Sequence, residues 1–314
     1  MPKVSVIIPA HNAARFVTET VESVLNQTHR NLEVIVVDDG STDETAEVLR
    51  AFDDRIVLRS QPNGGVARAR NEGARVATGE WLAFLDADDL WLPDKLERQL
   101  GLADPGTSWI YSDRFNFGSR EGVPEVQSEI TAMYEGDVFT ALLVEGNFIS
   151  SSTVIVRKEI FDRAGGYCEN LRGTEDWDLW IRVSERNPIR FCPMQLLRYR
   201  IHSAGISHNY DHMWRERRMV IVRALALSRA RTLSWSMRRR IWSQTWITNG
   251  VEAAKCGRVV AALREFGRAV VAWPIGATPY REIARLALYQ IPQGHRIVEA
   301  IQRLRAARKI GSVA

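Results

Sequence analysis

The sequence predicts a doubly wound α/β domain followed by an all-helical extension, and three observations carry that prediction. Short apolar runs, VSVIIP at 4–9, LEVIVV at 32–37 and WLAFLD at 81–86, alternate with segments whose apolar residues recur at helical spacing. That alternation is the pattern of a mostly parallel sheet flanked by helices. Each run breaks off into a polar turn, where open α/β sheets leave a ligand crevice. From about Met213 the strand signal stops and the charge reverses: residues 1–212 carry 22 Lys and Arg against 33 Asp and Glu, net −11, whereas 213–314 carry 20 against 5, net +15. Two units, 1–212 and 213–314, are therefore expected.

Taken in order, the β-branched run Val4 to Pro9 reads as a central strand. Residues 13–27 place Phe16, Val17, Val21, Val24 and Leu25 on one helical face. Leu32 to Val37 is a second strand whose DDGSTD turn offers Ser41 or Thr42 as cap for a helix to about Phe52. A short strand, Ile56 to Arg59, leads to NGGVARARNEGA, where Gly64 and Gly65 precede a helix over 65–77 with Arg68, Arg70 and Asn71. Backbone amides at such a helix start can cradle an anion, although the spacing is neither GxGxxG nor GxxxxGK[ST]. Trp81 to Asp86 follows as a buried strand with Asp86, Asp88 and Asp89 at its lip, and Asp89 or Asp94 stands near the next helix start. WLPDKLERQL then reads as that helix, Trp109 to Ser112 as a strand, 114–131 as an exposed connection, 147–157 as a strand and Phe191 to Tyr199 as an edge strand. GTEDWDLWIRV at 173–183 is an apolar helix with Thr174 as N-cap.

Clustered carboxylates at a strand end repel one another unless a cation sits among them, and hard oxygen ligands suit Mg²⁺ or Mn²⁺. Three strand ends, PAHN at 9–12, VVDDGSTD at 36–43 and FLDADD at 84–89, converge in this way. With ARN and GEW between them, they resemble the family 2 glycosyltransferases of the GT-A fold, which transfer a sugar from a nucleotide diphosphate. The resemblance implies that Pro9, Ala10, His11 and Asn12 lie against the nucleobase and that Asp39, with Asp38 as the alternative, hydrogen-bonds it. It maps the DxD motif onto Asp86-Ala87-Asp88, Asp86 facing the ribose and Asp88 a divalent metal, with Gly65 and Arg70 as further nucleotide-binding candidates. TED at 174–176 resembles the family's catalytic motif and implies Asp176 as the base of an inverting transfer, with Glu175 and Trp180 as acceptor-binding candidates. His202, in the YRIH segment, matches a histidine that completes the metal or diphosphate site in relatives, with His208 as rival, and 203–210 can close over the donor.

The expected function is an inverting, Mn²⁺- or Mg²⁺-dependent transfer from a UDP-sugar or similar donor to a hydroxyl of a glycan or lipid-linked acceptor, in cell-surface polysaccharide or glycoconjugate synthesis. The alternative is a non-catalytic nucleotide-sugar-binding or scaffold protein, against which the presence of Asp39, Asp86, Asp88 and Asp176 speaks. A nucleotidyltransferase would call for a glycine-rich basic loop after the first strand, and PAHNAARF is not one. Cys168, Cys192 and Cys256 have no CxxC spacing, which fits a reducing compartment. No signal peptide is evident, and the longest uncharged run, Ala269 to Tyr280, is 12 residues with two prolines, short of a bilayer span. The protein is expected in the cytoplasm, or peripheral on the inner face of the membrane. Beyond Met213, helices are expected over 213–231, 235–252, 257–272, 279–291 and 295–309, the last with Ile297, Val298, Ile301 and Leu304 on one face among arginines. Such a basic amphipathic surface can meet an anionic membrane or can simply pack on its neighbours. Nucleic acid is not expected as a partner, because no recognition motif accompanies the charge.

Overall fold

The computed structural model describes residues 1–118, 126–129, 131–201 and 210–289. His202, His208, the segment 203–209 and the helix expected over 295–309 lie outside the described residues. Two compact units emerge: Met1–Asn209 with Arg215–Arg231, and Tyr210–Trp214 with Thr232–Ala314. The division drawn at 212/213 from charge differs over 215–231, which side chains described below tie to the first unit.

The first unit is built on an eight-stranded sheet. Its strands are β1 (Val4–Ala10), β2 (Leu32–Asp38), β3 (Val57–Ser60), β4 (Trp81–Phe84), β5 (Leu90–Trp91), β6 (Trp109–Gly118), β7 (Ile155–Arg157) and β8 (Ile189–Ile201), in spatial order β3-β2-β1-β4-β7-β6-β8-β5. β1, β2, β3 and β4 pair in parallel, β7 runs antiparallel between β4 and β6, and β6 pairs in parallel with β8. Every residue of β1 is buried, as a strand covered on both faces requires. Val6, Ile8, Val36 and Ala83 pack with Val17, Val21 and Val24 of α1 (Val17–Leu25) in one apolar core. α2 (Thr45–Arg50), α3 (Val66–Val76), α4 (Lys95–Leu100), α5 (Phe139–Glu145), α6 (Lys158–Ala164), α7 (Glu175–Ser184), α8 (Tyr210–Ala226) and α9 (Ser228–Arg231) complete the elements up to residue 231. Because β1, β2 and β4 run the same way, their C-terminal ends lie side by side: Pro9 is registered with Val37, Ala10 with Asp38 and Ile7 with Phe84.

Several expectations change. Phe191 to Tyr199, expected as an edge strand, belongs to β8, which pairs with β6 on one side and with β5 on the other. The strand expected over 147–157 is only Ile155–Arg157, preceded by a 3₁₀ turn at Ser151–Thr153. That turn is held from outside: Trp91 Nε1 donates to Ser152 O at 2.8 Å and Gln99 Nε2 to Thr153 O at 2.8 Å. The connection expected from residue 114 begins later, since β6 continues to Gly118 along β8. Neither Ser41 nor Thr42 caps α2; Asp43 Oδ1 accepts Thr45 N at 3.1 Å instead. Asp89 does not start the following helix, whose N-cap position is Asp94.

The second unit contains α10 (Trp235–Lys255), α11 (Val259–Ala272) and α12 (Ala277–Tyr289). Ser234 Oγ accepts Met237 N at 3.2 Å and caps α10. Ala253, Ala262 and Phe266 form the centre of its small core. No described helix is long and apolar enough to cross a membrane.

Candidate active site

The ends of β1 and β2 form one lip of the crevice. Asp39 follows β2 and is 3% exposed, and a carboxylate can be buried this far only if its lone pairs are met. Its Oδ1 accepts Gln61 Nε2 at 2.7 Å and Gly64 N at 2.8 Å, and its Oδ2 accepts Gly65 N at 2.7 Å. Gly65 reaches this position with φ +91°, a conformation that costs a residue with Cβ far more than glycine. The anion held by the glycine amides is thus the chain's own Asp39. Asp38 turns elsewhere and accepts Ser41 N at 3.0 Å. His11 Nδ1 lies 2.9 Å from Asp39 O, Asp39 N donates to Ala10 O at 2.8 Å, and Asn12, at φ 50°, donates its N–H to Ser41 Oγ and accepts Thr42 N. Pro9 to Asn12 and Asp39 therefore share one rigid edge.

Below this lip lies the acidic edge after β4. Asp86 Oδ1 accepts Arg70 Nη2 at 2.6 Å, and Asp86 N donates to Ser152 Oγ at 3.1 Å. Asp89 is fully buried, and its Oδ1 accepts Arg200 N at 2.9 Å. Burial first, and then the charges of Asp86 and Asp88, push the Asp89 carboxyl well above the usual carboxylate range. The carboxylates gathered at this edge offer hard oxygens, the ligand type that suits a divalent cation. Among the described residues no three His, Cys, Asp or Glu side chains make a ready-made metal site. The fit is accordingly to an ion that also takes oxygens from a phosphate or water, as Mg²⁺ does.

Opposite stands the N-terminus of α7. Thr174 occupies the N-cap position, yet its hydroxyl makes no cap and donates to Glu216 Oε2 at 2.9 Å. Glu216 Oε1 also accepts the Arg172 amide, so α8 fixes the loop before the helix. Arg223, also of α8, pairs with buried Asp178 at 2.7 Å. Glu175 is 4% exposed; its Oε2 accepts Gly173 N at 2.6 Å and its Oε1 accepts Arg70 Nη1 at 2.8 Å. Arg70 thus bridges Asp86 and Glu175, fastening the acidic edge to the catalytic-motif helix. Asp176 is less enclosed; its Oδ2 accepts Asn147 Nδ2 at 3.0 Å and its Oδ1 accepts Trp177 N at 2.7 Å. Burial, joined by the neighbouring Glu175 charge, raises the Asp176 carboxyl to about 7, against the opposing pull of Arg70 and these hydrogen bonds. A carboxylate titrating there can take a proton near neutral pH.

The candidates do not all reach the crevice. Trp180 is fully buried, its ring 5.5 Å from that of Trp109, so it packs α7 onto the sheet and offers no face to an acceptor. The acceptor role came from the motif resemblance, whereas the apolar run of this helix is the local signal for packing. Motif reading missed Asn147, Glu216 and Gln61, since a single polar residue carries no local mark of the distant partner it meets.

Residues 5–165 match the model of glycosyl transferase family 2, and residues 125–223 match the model described as glycosyltransferase like family 2. An uncharacterised glycosyltransferase of Rickettsia felis is 36% identical over 201 residues, 63% of this chain and 33% of that protein. This chain thus spans about a third of the length of the first curated relatives it matches. TuaG of Bacillus subtilis strain 168, a glycosyltransferase assigned to teichuronic acid biosynthesis, is 33% identical over 213 residues, 66% of this chain and 82% of that protein. The crystal structure of Staphylococcus aureus TarS 1–349 in complex with UDP-GlcNAc superposes with a TM-score of 0.65 at 20% identity, covering 86% of this chain and 81% of that one, a likeness of fold. On the family match and the relatives together, this chain belongs to glycosyl transferase family 2.

Proposed function

We propose that the chain is an inverting glycosyltransferase that moves a sugar from a nucleoside diphosphate, UDP by preference, to a hydroxyl of a glycan or lipid-linked acceptor in cell-surface polysaccharide synthesis. The observation that carries this reading is the Glu175–Arg70–Asp86 bridge, which ties the helix start that bears Asp176, its carboxyl raised to about 7 by burial and the Glu175 charge, to the acidic edge after β4. The polysaccharide assignment of TuaG and the UDP-GlcNAc seated in TarS support the acceptor and donor classes.

In this reading Pro9 to Asn12 and Asp39 hold the nucleobase, and Asp86, Gly65 and Arg70 shape the wall that receives ribose and diphosphate. Asp39 can exchange the Gln61 amide for a base N–H while the Gly64 and Gly65 amides keep it in place. Asp176 accepts the proton of the acceptor hydroxyl as its oxygen attacks C1; the new C1–O bond forms as the bond from C1 to the diphosphate breaks, with inversion. Asn147 aims the carboxylate. Glu175 acts through Arg70 and the Gly173 amide, positioning the helix rather than meeting the acceptor. Asp88, with His202 as second candidate, would hold Mn²⁺ or Mg²⁺, which when bound neutralises charge on the diphosphate.

The second unit carries the partner side of the proposal. Val260, Leu263, Val271 and Ile275 are exposed on and after α11, and residues 232–314 carry 14 Lys and Arg against 4 Asp and Glu, net +10, a combination suited to an anionic membrane surface. Co-sedimentation with anionic but not neutral vesicles, lost at high salt, is expected; equal recovery with both would remove the membrane from the proposal.

The test of the activity is turnover with UDP-, GDP- and dTDP-sugars plus Mn²⁺ or Mg²⁺, read as nucleoside diphosphate release. Metal-dependent release abolished in Asp176→Asn is the expected result. Donor binding without release from any of them would favour the non-catalytic binding protein instead.

A further inference from the structure

The wall between the acidic edge and Asp176 carries an arginine that belongs to none of the motifs. Arg114 follows an irregularity in β6, where pairing with β8 shifts between Ser112 and Asp113 and again between Asp113 and Arg114. A bulge of this kind re-aims the side chain beside it. The bulge is clamped by Asp113, 1% exposed, whose Oδ1 accepts Arg114 N at 2.8 Å and Ser128 N at 3.2 Å and whose Oδ2 accepts Gln195 Nε2 at 3.0 Å. The aimed guanidinium lies 4.0 Å over the Tyr199 ring, and its Nη2 donates to Gln127 Oε1 at 3.0 Å.

This placement faces the chemistry from both sides. Arg114 feels the charges of Asp89 and Asp176 as well as Asp113, and Tyr199, on which it stacks, feels those of Asp86, Asp88 and Asp89. Yet among the described residues no carboxylate oxygen comes within ion-pair distance of the guanidinium, and its buried Nε has no hydrogen-bond partner there. Burial prevails over the surrounding carboxylates and lowers the Arg114 pKa, although arginine stays charged in proteins. A desolvated, pre-aimed fork with donors left over is a binding element for an oxyanion, and holding it ready by stacking reduces the ordering cost on binding. Arg70, whose buried Nε is likewise without a partner among the described residues, differs in that both of its terminal nitrogens are already committed to carboxylates.

We propose that Arg114 recognises an anionic oxygen of a substrate, phosphate or carboxylate, in the stretch of crevice between the Asp86–Asp89 edge and Asp176. The inference rests on the glycosyltransferase reading for the identity of that substrate. Two sources present the same chemistry: the diphosphate of the donor, and an anionic group carried by the acceptor.

The experiment compares wild type, Arg114→Gln and Arg114→Lys by calorimetry, with folding checked by thermal midpoint. If the donor diphosphate is the ligand, affinity for UDP and for inorganic pyrophosphate falls about tenfold in Arg114→Gln while that for uridine is unchanged, as expected for one charge-assisted contact. If the anion belongs to the acceptor, UDP affinity is unchanged, and UDP-loaded wild type binds glucuronate or glycerol 3-phosphate while Arg114→Gln does not. Arg114→Lys, which keeps the charge and loses the fork, falls between the two in either arm and serves alone if Arg114→Gln does not fold. Equal binding of UDP, pyrophosphate, glucuronate and glycerol 3-phosphate by wild type and a folded variant overturns the proposal. Failure of the glycosyltransferase reading would look different, as absence of uridine and UDP binding in wild type, and the pyrophosphate, glucuronate and glycerol 3-phosphate arms would still decide the role of Arg114.

Discussion

The two lips of the crevice solve the burial of carboxylates in opposite ways. At the donor lip, Asp39 is met by three N–H donors, two of them backbone amides fixed by the glycine turn. At the other, Asp176 has one side-chain donor and one amide of its own helix, and a second carboxylate, Glu175, precedes it. Under the proposed function, the first arrangement would make a rigid acceptor for a hydrogen-bonding base, and the second would keep a carboxyl ready to exchange a proton. A recognition group has its hydrogen bonds completed before the ligand arrives, whereas a base has its charge left partly uncompensated. Arg70 pairs with Asp86 and Glu175 and makes no ion pair with Asp176, on which it acts only through space, against the opposing push of burial and the Glu175 charge.

The comparison would break most visibly at Asp176. Asp176→Asn is expected to lower turnover by about 10³-fold, within the range for loss of a general base, while UDP affinity stays within about twofold; near-normal release of UDP would move the base elsewhere. Trp180→Ala is expected to cost about 3–5 kcal/mol of folding stability, seen as a lower midpoint in urea, whereas an intact midpoint with a raised acceptor KM would restore Trp180 to the acceptor side. At the acidic edge, Asp88→Ala should weaken UDP binding in Mn²⁺ by about tenfold or more and leave binding in EDTA unchanged; equal loss in both would argue against a metal role.

A finer test concerns the poise of Asp176. The carboxylate form does the work, so kcat/KM should rise with pH through about 7 and level off above it. Asn147 stabilises that charged form, and removing it in Asn147→Ala should move the rise upward by about one unit or less. An unmoved profile would show that the Asn147 contact does not tune the base.

Much of this was legible in the chain. The alternation of apolar runs and helical spacing placed β1, β2 and β4, and the polar turns after them marked the crevice, because strand period and turn chemistry are local properties. Segments whose backbone is satisfied from a distance were not legible in this way. Residues 150–153 read as strand, yet Trp91 and Gln99 draw the Ser152 and Thr153 carbonyls into a turn.

The sequence by itself determined the family and which carboxylates gather at the crevice, since those follow from residue type and spacing along one strand end or helix start. Only the tertiary structure decided what each carboxylate meets: that the Gly64–Gly65 amides hold Asp39, that Arg70, paired with Asp86, reaches Glu175 across 105 positions of chain, and that Asp176 is left to titrate near neutrality. The physical reason is that burial and charge act through space, so a proton affinity or a hydrogen-bond partner is set by neighbours that the order of residues does not bring together.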